Sequence, residues 1–165
     1  MSAIEQGVTT DRYMVIPRTI VFVRQGDRYL LLKGAPTKRL WAGLYNGIGG
    51  HVERGEDVLS AAHRELLEET GIDADLRLCG TVIVDTGKSP GVCLFVFCGE
   101  LGQGKPVRSA EGETQWISPD DLRSFPVVED LPALLERVHH MMPGDSPFAA
   151  RSYYDTEGRL VIAFL

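Results

Sequence analysis

The chain has 165 residues, of which 44% are hydrophobic and 24% are charged, and its formal net charge is −6 at pH 7. These values are typical of one compact globular domain that buries its own core. The excess of acidic residues argues against a nucleic-acid polymer as the main partner, because binding such a polymer needs a basic surface. A small anionic substrate is still compatible with this charge, since a bound metal ion can supply positive charge locally.

Nothing in the composition calls for a membrane. The first twelve residues are polar and lack the apolar segment of a signal peptide. The longest strongly apolar run, Val92 to Phe97, is far too short to cross a bilayer. No two of the cysteines have the C-x-x-C spacing, and Cys93 and Cys98 lie in an apolar stretch. We therefore interpret these two as reduced core residues of a cytoplasmic protein.

The first strands of the chain are predicted by composition. Ile16 to Val23 and Tyr29 to Leu32 are rich in β-branched and aromatic residues, and residues 25–27 between them have turn composition. This pattern predicts a β-hairpin. Lys33 to Leu44 is interpreted as a loop, and residues 45–50 as a short strand or turn whose glycines permit close backbone approach to a ligand.

A helix is predicted from about Asp57 to Thr70. Asp57 can cap its first amides, and Gly71 stands where a left-handed C-terminal residue is expected. Three apolar residues recur at helical spacing and are predicted to face the core: Leu59, Ala62 and Leu66.

The rest of the chain alternates between strand and helix patterns. Three segments have the composition of strands: Ala74 to Asp85, Val92 to Glu100 and Thr114 to Ile117. Two segments have helical signals: a short one that follows Ser118 and starts at Pro119, and Asp130 to His140 with Leu131, Leu134, Leu135 and Val138 on its apolar side. Residues 155–158 join a terminal hairpin. We expect an α+β protein, a mixed β-sheet packed between helices, with one domain over residues 15–165 after a flexible arm over residues 1–14.

The most informative feature is an acidic helix face. Glu65, Glu68 and Glu69 stand at positions i, i+3 and i+4, and Glu56 lies just upstream. Like charges at this spacing repel by roughly 0.2–0.5 kcal/mol per exposed pair. A bound divalent cation would reverse that effect, and a ligand set made only of oxygens favours Mg²⁺ or Mn²⁺. Such an ion commonly binds substrate phosphates as well.

This stretch is identified as a Nudix box, G-x5-E-x7-R-E-U-x-E-E-x-G-U with U an aliphatic residue. All of its fixed positions are present: Gly50, Glu56, Arg64, Glu65, Leu66, Glu68, Glu69, Gly71 and Ile72. The alternative to a Nudix box is an acidic helix face that is simply exposed to solvent. The resemblance implies an α/β/α sandwich, and an enzyme that hydrolyses a nucleoside diphosphate linked to a further group with Mg²⁺ or Mn²⁺.

The resemblance also implies roles for the residues of the box. Glu68 and Glu69 fall on its principal metal ligands, and Glu65 on a metal ligand or general base. The carbonyl of Gly49 is a further candidate ligand. Glu56 contributes charge and structure.

Two more roles come from the resemblance, each beside a plainer alternative. Arg64 is expected to hold a neighbouring carboxylate, and the alternative is a surface ion pair with Glu68. A further acid outside the box usually completes the site. An acid five residues before Trp116, as in MutT-type enzymes, favours Glu111 over Glu113 as a metal ligand. The alternative is that both are solvated loop residues.

The residues that enter the box indicate a substrate class. Residues 45–50 are similar to the Trp-Asn-Gly-Phe-Gly-Gly stretch of animal oxidised-purine triphosphatases, with Tyr45 in place of tryptophan. That similarity implies that Asn46 reads the base and that Glu129 and Asp130 contact it. The alternatives are a turn residue for Asn46 and an ordinary acidic first helical turn for the pair. Lys33, Lys38 and Arg39 are either phosphate ligands or solvated side chains.

The sequence therefore predicts a nucleoside triphosphate pyrophosphohydrolase of the MutT type, with 8-oxo-dGTP as the leading specific substrate. Its partner is a small nucleotide, and a homodimer is conceivable. Hydrolysis of ADP-ribose or a dinucleoside polyphosphate is the main alternative, and a non-catalytic nucleotide-binding module is another. A prenyl diphosphate isomerase is disfavoured, because neither Cys79 nor Cys93 offers a persuasive counterpart to its catalytic cysteine.

Overall fold

A computed structural model describes residues 6–9, 11–102 and 104–165. Its strands are β1 (Val15–Gln25), β2 (Arg28–Gly34), β3 (Tyr45–Asn46), β4 (Arg77–Val84), β5 (Gly91–Glu100), β6 (Gly112–Ile117), β7 (Phe148–Tyr154) and β8 (Leu160–Phe164). The helices are α1 (Val58–Thr70), a 3-10 helix (Pro119–Ser124) and α2 (Leu131–His139). Residues 1–5 and 10 of the expected arm lie outside the described residues. The division into an arm over 1–14 and a domain over 15–165 stays a prediction.

The strands form one mixed sheet. The order is β3-β2-β1-β5-β4-β7-β8, and β6 pairs with β2 off this path. β1 runs parallel to β5 and β4 runs parallel to β7, whereas the other pairs are antiparallel. The expected hairpins at both ends of the chain are present, and the mixed sheet of an α+β fold is confirmed.

Side chains of β1 alternate between the two faces of the sheet, as the period of a strand requires. Ile20 and Phe22 belong to a core packed against α2, and Val21 and Val23 to a core packed against α1. The four apolar residues predicted for α2 are all buried. The sheet is thus covered on both faces, and β1 lies between the two cores.

The helix α1 begins and ends where the sequence predicts. The side chain of Asp57 accepts hydrogen bonds from the amides of Leu59 and Ser60, and Gly71 adopts a left-handed conformation with φ 71°. The inward stripe differs in one residue, because Leu59 is 41% exposed. Val58, four residues before Ala62, packs against the core instead. The prediction for Leu59 is wrong because the stripe follows the i, i+4 row through Val58 rather than the i, i+3 row.

The cysteines are also arranged differently from the prediction. Cys79 pairs with Cys98 in a disulfide, and Cys93 is free. The interpretation of Cys98 as a reduced residue is therefore wrong. A register shift between Leu78 and Gly80 in the pairing of β4 with β5 brings Cys79 beside Cys98, and spacing alone does not reveal such a bulge. The cytoplasmic location remains a prediction.

Among the described residues, no helix combines the length and the apolar character that a membrane span requires.

Candidate active site

The glycine-rich segment before α1 is attached directly to β1. The amide of Thr19 donates to the carbonyl of Gly50 at 2.9 Å, and the amide of Val21 donates to the carbonyl of Ile48 at 2.7 Å. Gly49 lies between these two contacts with φ 153°, and a Cβ there would collide with the carbonyl of Thr19. Only glycine fits this position, and the carbonyl of Gly49 is left outside the pairing with β1.

Gly50 provides the space that the Glu65 carboxylate occupies. A Cβ on Gly50 would overlap both carboxylate oxygens of Glu65. The side chain of Glu65 is only 15% exposed. Close approach of backbone and carboxylate is the physical reason for glycine at the first position of the motif.

Arg64 binds the acidic groups around it. Its Nε donates to Oε1 of Glu56 at 2.6 Å, and its Nη2 donates to Oε2 of the same carboxylate at 2.9 Å. Its Nη1 donates to Glu65 at 2.8 Å and to Glu68 at 3.2 Å. Arg64 is thus more than the partner of an i, i+4 surface pair, because one guanidinium orients three carboxylates.

Glu69 is the buried acid of the face. Its side chain is 5% exposed, and Oε2 accepts a hydrogen bond from the amide of Gly49 at 3.1 Å. Loss of solvation raises the pKa of Glu69 to about 7, although the Gly49 amide and the charge of Lys38 act in the opposite direction. Burial therefore destabilises the charged form of this carboxylate.

The two candidate acids outside the box have different surroundings. Nζ of Lys38 lies 2.6 Å from Oε2 of Glu111 and 4.0 Å from Oε1 of Glu69. Glu111 is held near the box because its carbonyl accepts from the amide of Ala35 and β6 pairs with β2. Glu113 pairs instead with Arg108 at 3.0 Å on the surface. The structure therefore places Glu111 next to Glu69 and Glu113 away from it.

The candidate donors are carboxylate and carbonyl oxygens, which are the ligand types that a hard divalent cation prefers. Within the described residues, no three acidic, histidine or cysteine side chains converge as a ready metal cage. The carboxylates are instead bound to the guanidinium of Arg64 and the ammonium of Lys38. The buried carboxylate of Glu69, whose pKa is raised by loss of solvation, is nevertheless the kind of oxygen ligand that Mg²⁺ would stabilise.

A cavity of about 270 Å³ adjoins this acidic group. Glu69 and Gly49 contribute to its wall, and so do Asn46 and Asp130, two of the residues predicted to contact the base. Loss of solvation raises the pKa of Asp130 above its ordinary value. Some of the predicted metal-binding and base-binding residues therefore open onto one space, whereas Glu65, Glu68 and Glu111 do not line it.

The other two residues predicted to bind substrate do not line this cavity. The hydroxyl of Tyr45 donates to Gln115 at 2.7 Å, and its ring packs edge-on against Phe125. Glu129 is exposed and accepts a hydrogen bond from the hydroxyl of Tyr154 at 2.8 Å.

Asn46 does line the cavity, and its Oδ1 accepts a hydrogen bond from the amide of Gly47 at 2.8 Å. Its roles as a turn residue and as a base contact are therefore compatible.

The cavity residues that the sequence does not predict as base contacts or metal ligands include Arg18, Thr19, Lys38 and Trp41. The sequence marks Lys38 only as one of several loop cations. Arg18 and Thr19 lie in β1, where polar residues next to an apolar strand pattern give no signal of a binding site. Trp41 is an isolated aromatic residue of a loop, and no spacing marks it.

Comparison with known proteins agrees with the geometry. A family model described as the NUDIX domain matches residues 14–138. The chain is 34% identical over 122 residues to the oxidized purine nucleoside triphosphate hydrolase of Mus musculus, an alignment that covers 67% of this chain and 77% of that protein. The protein of the same name from Danio rerio is 36% identical over 106 residues, covering 63% of this chain and 67% of the relative.

The fold is similar to that of a solved MutT structure. The crystal structure of the MutT protein from Bacillus halodurans superposes with a TM-score of 0.74 at 25% identity, covering 91% of this chain and 97% of that one. The resemblance found in the sequence is thereby confirmed. With its complete box, the acid-lined face of α1 and the matching family model, the chain belongs to the Nudix family and is a hydrolase of nucleotide-linked substrates.

Proposed function

We propose that this enzyme hydrolyses a nucleoside triphosphate to a nucleoside monophosphate and pyrophosphate, with Mg²⁺ or Mn²⁺ as cofactor. One observation carries the proposal: the buried carboxylate of Glu69 lines the same cavity as Asn46 and Asp130. A molecule with a base at one end and a phosphate chain at the other matches such a space.

The acidic face of α1 has the groups that the reaction needs. Glu65, Glu68 and Glu69 would hold the divalent ion, with the Gly49 carbonyl and Glu111 as additional donors. The ion would neutralise phosphate charge that otherwise repels the attacking water. Water attacks phosphorus, the bond to the bridging oxygen breaks, and pyrophosphate leaves. A carboxylate of this face accepts the proton of the water.

Arg64 and Gly50 position the carboxylate of Glu65 for this work. Arg64 donates to Oε1 of Glu65 at 2.8 Å, and the backbone at Gly50 lies against the same group. Held from two sides, Glu65 is suited to orient a water molecule or to bind the ion. Both roles require a fixed carboxylate.

We further propose oxidised purine triphosphates such as 8-oxo-dGTP as the substrate class. The names of the Mus musculus and Danio rerio relatives support this choice. Asn46 and Asp130 support it chemically, because an amide supplies a donor and an acceptor and a protonated carboxyl does so too. Loss of solvation raises the pKa of Asp130, which favours that protonated form.

A substrate panel tests the proposal. The purified enzyme is given 8-oxo-dGTP, the ordinary nucleoside triphosphates, ADP-ribose and a dinucleoside polyphosphate with Mg²⁺ or Mn²⁺, and the products are separated by chromatography. We expect pyrophosphate and a monophosphate from 8-oxo-dGTP, and no activity with EDTA. The Glu68→Gln variant, purified in the same way, controls for contaminating phosphatases. Faster turnover of ADP-ribose than of any triphosphate would overturn the proposal, and binding without turnover would indicate a nucleotide-binding module.

A further inference from the structure

Arg18 is a cation in the cavity that no other described residue neutralises by an ion pair. It lies in β1 opposite Leu94 of β5 and lines the cavity together with Glu69 and Asp130. Its Nε is buried and has no hydrogen-bond partner in the described part of the chain. Burial of a donor without a partner costs free energy, so native structures rarely leave one unless a ligand or water satisfies it.

Two buried polar groups of β1 have no partner in the described part of the chain. Among the described residues, the buried side-chain nitrogen and oxygen atoms without a partner are Nε of Arg18 and Oγ1 of Thr19. These residues are adjacent in β1, and both line the cavity. The same cavity holds the candidate base contacts Asn46 and Asp130. Because side chains alternate along β1, Arg18 lies on the face of Ile20 and Thr19 on the face of Val21, so Nε of Arg18 is the unsatisfied group on the α2 side of the sheet, and it indicates a place where a polar ligand binds.

Trp41 holds the guanidinium from one side. The guanidinium carbon of Arg18 lies 5.2 Å from the centre of the indole ring, which is a cation–π distance. Trp41 reaches this position with φ 60°, a conformation that bulky side chains rarely adopt and that is often found at functional sites. The indole thus lies beside a guanidinium whose Nε has no hydrogen-bond partner in the described part of the chain.

The charges around Arg18 indicate which part of a ligand it meets. Glu69 of the acidic face and Asp130, a candidate base contact, line the same cavity as Arg18. The guanidinium therefore shares one space with a group that would bind the metal and a group that would bind the base. In a nucleoside triphosphate, the sugar and the first phosphate connect those two parts.

We propose that Arg18 is a substrate-binding residue that donates its N–H groups to the phosphate nearest the sugar, with Trp41 fixing its orientation. The inference rests on the proposed nucleotide substrate and assigns to Arg18 a contact that the box does not provide. A planar guanidinium is suited to this contact because it binds two oxygens of one phosphate at once. A neutral base would gain much less from a full positive charge.

The test compares a nucleotide with its nucleoside, so that only the phosphate differs. Binding of 8-oxo-dGMP and of 8-oxo-deoxyguanosine is measured by calorimetry with EDTA present, which removes turnover and metal effects. We expect Arg18→Met to weaken binding of the monophosphate by about 10- to 100-fold and to leave the nucleoside within about twofold. Arg18→Lys retains the charge and is expected to lose less than Arg18→Met.

Arg28→Ala is the matched control. Arg28 lies at the start of β2, pairs with Asp27 on the surface and is absent from the cavity wall. We expect no change in either affinity. Thermal unfolding of every variant shows whether the fold is retained, and an Arg18→Met protein that does not fold leaves Arg18→Lys to be compared with the wild type on the same two compounds.

Several results would overturn the role of Arg18. These are equal losses for nucleoside and monophosphate, equal losses for Arg18→Met and Arg18→Lys, unchanged affinities, and a wild-type protein that binds neither compound. The proposed function is judged separately, by turnover of triphosphates in the wild-type protein. An active enzyme in which Arg18→Met binds the monophosphate normally would contradict the inference and leave the proposed function in place.

Discussion

The guanidinium of Arg64 holds the carboxylate of Glu56 by two hydrogen bonds, from Nε to Oε1 at 2.6 Å and from Nη2 to Oε2 at 2.9 Å. The bonds from Arg64 keep the pKa of Glu56 at about 2. The same guanidinium donates to Glu65 and to the carbonyl of His51. The loop before α1 and the acidic face of the helix are therefore fixed to one side chain.

Replacing Arg64 by lysine tests this arrangement. A single ammonium group cannot span both oxygens of Glu56 and also reach Glu65, so the Glu65 carboxylate loses its fixed position. We expect Arg64→Lys to lower kcat about 100-fold and to change KM much less. Steady-state kinetics measure both constants. Arg54→Lys, an exposed change on the preceding loop, serves as control, and a normal kcat in Arg64→Lys would contradict the positioning role.

A methyl group at position 50 is expected to disturb the same carboxylate from the other side. In Gly50→Ala the added Cβ meets the oxygens of Glu65, which must move. We expect kcat to fall at least 10-fold while the melting temperature changes little, because the displaced group is a side chain and not backbone. In the control Gly102→Ala the nearest atom to the added Cβ is 3.5 Å away, an ordinary contact. Equal activity of the two variants would show that Glu65 has room to move without consequence.

The buried carboxylate of Glu69 predicts a pH dependence of stability. Loss of solvation raises its pKa from 4.5 to about 7 in the folded state. Between these two values the folded protein binds more protons than the unfolded chain, so the free energy of unfolding falls as pH rises. We expect metal-free protein to be less stable at pH 7.5 than at pH 5, by an amount on the order of 2 kcal/mol from this group.

Denaturant unfolding with EDTA at the two pH values measures this effect. In Glu69→Gln the group no longer titrates, and the difference between the two values should shrink. Mg²⁺ at pH 7.5 should raise the stability of the wild type and have little effect on Glu69→Gln. An identical pH profile for the two proteins would show that Glu69 is not the group responsible.

Base selection is expected to depend on Asn46. Its side chain lines the cavity and is oriented by the Gly47 amide. We expect Asn46→Ala to change the ratio of kcat/KM for purine over pyrimidine triphosphates about 10-fold or more, and to change the rate on the best substrate less. Competition assays with paired triphosphates give the ratio directly. An unchanged ratio would leave Asn46 as a turn residue alone.

Local signals in the sequence predict the parts of the fold that depend on neighbouring residues. Asp57 and Gly71 mark the ends of α1 because capping is a local interaction. The turn at residues 25–27 marks the first hairpin for the same reason. The spacing of Glu65, Glu68 and Glu69 likewise places these carboxylates on the helix before any tertiary contact is known.

Properties that depend on the register of distant strands were not predictable in this way. The disulfide between Cys79 and Cys98 depends on a bulge in β4, and no local pattern in the sequence predicts that bulge. The contact between the guanidinium of Arg18 and the ring of Trp41 depends on where a loop distant in sequence is placed against β1. Burial is also decided by packing, which is why Val58 and not Leu59 meets the core.

The attachment of residues 48–52 to β1 affects how quickly their amides exchange with solvent. The amides of Ile48 and Val52 donate to the carbonyls of Val21 and Pro17. Since β1 pairs along its length with β5, opening this segment requires disturbing the middle of the sheet. Deuterium uptake at Ile48 should therefore be as slow as in the core strands, with or without nucleotide. The glycines beside the carboxylates are then already ordered before a substrate arrives, and binding need not supply the entropy of ordering them.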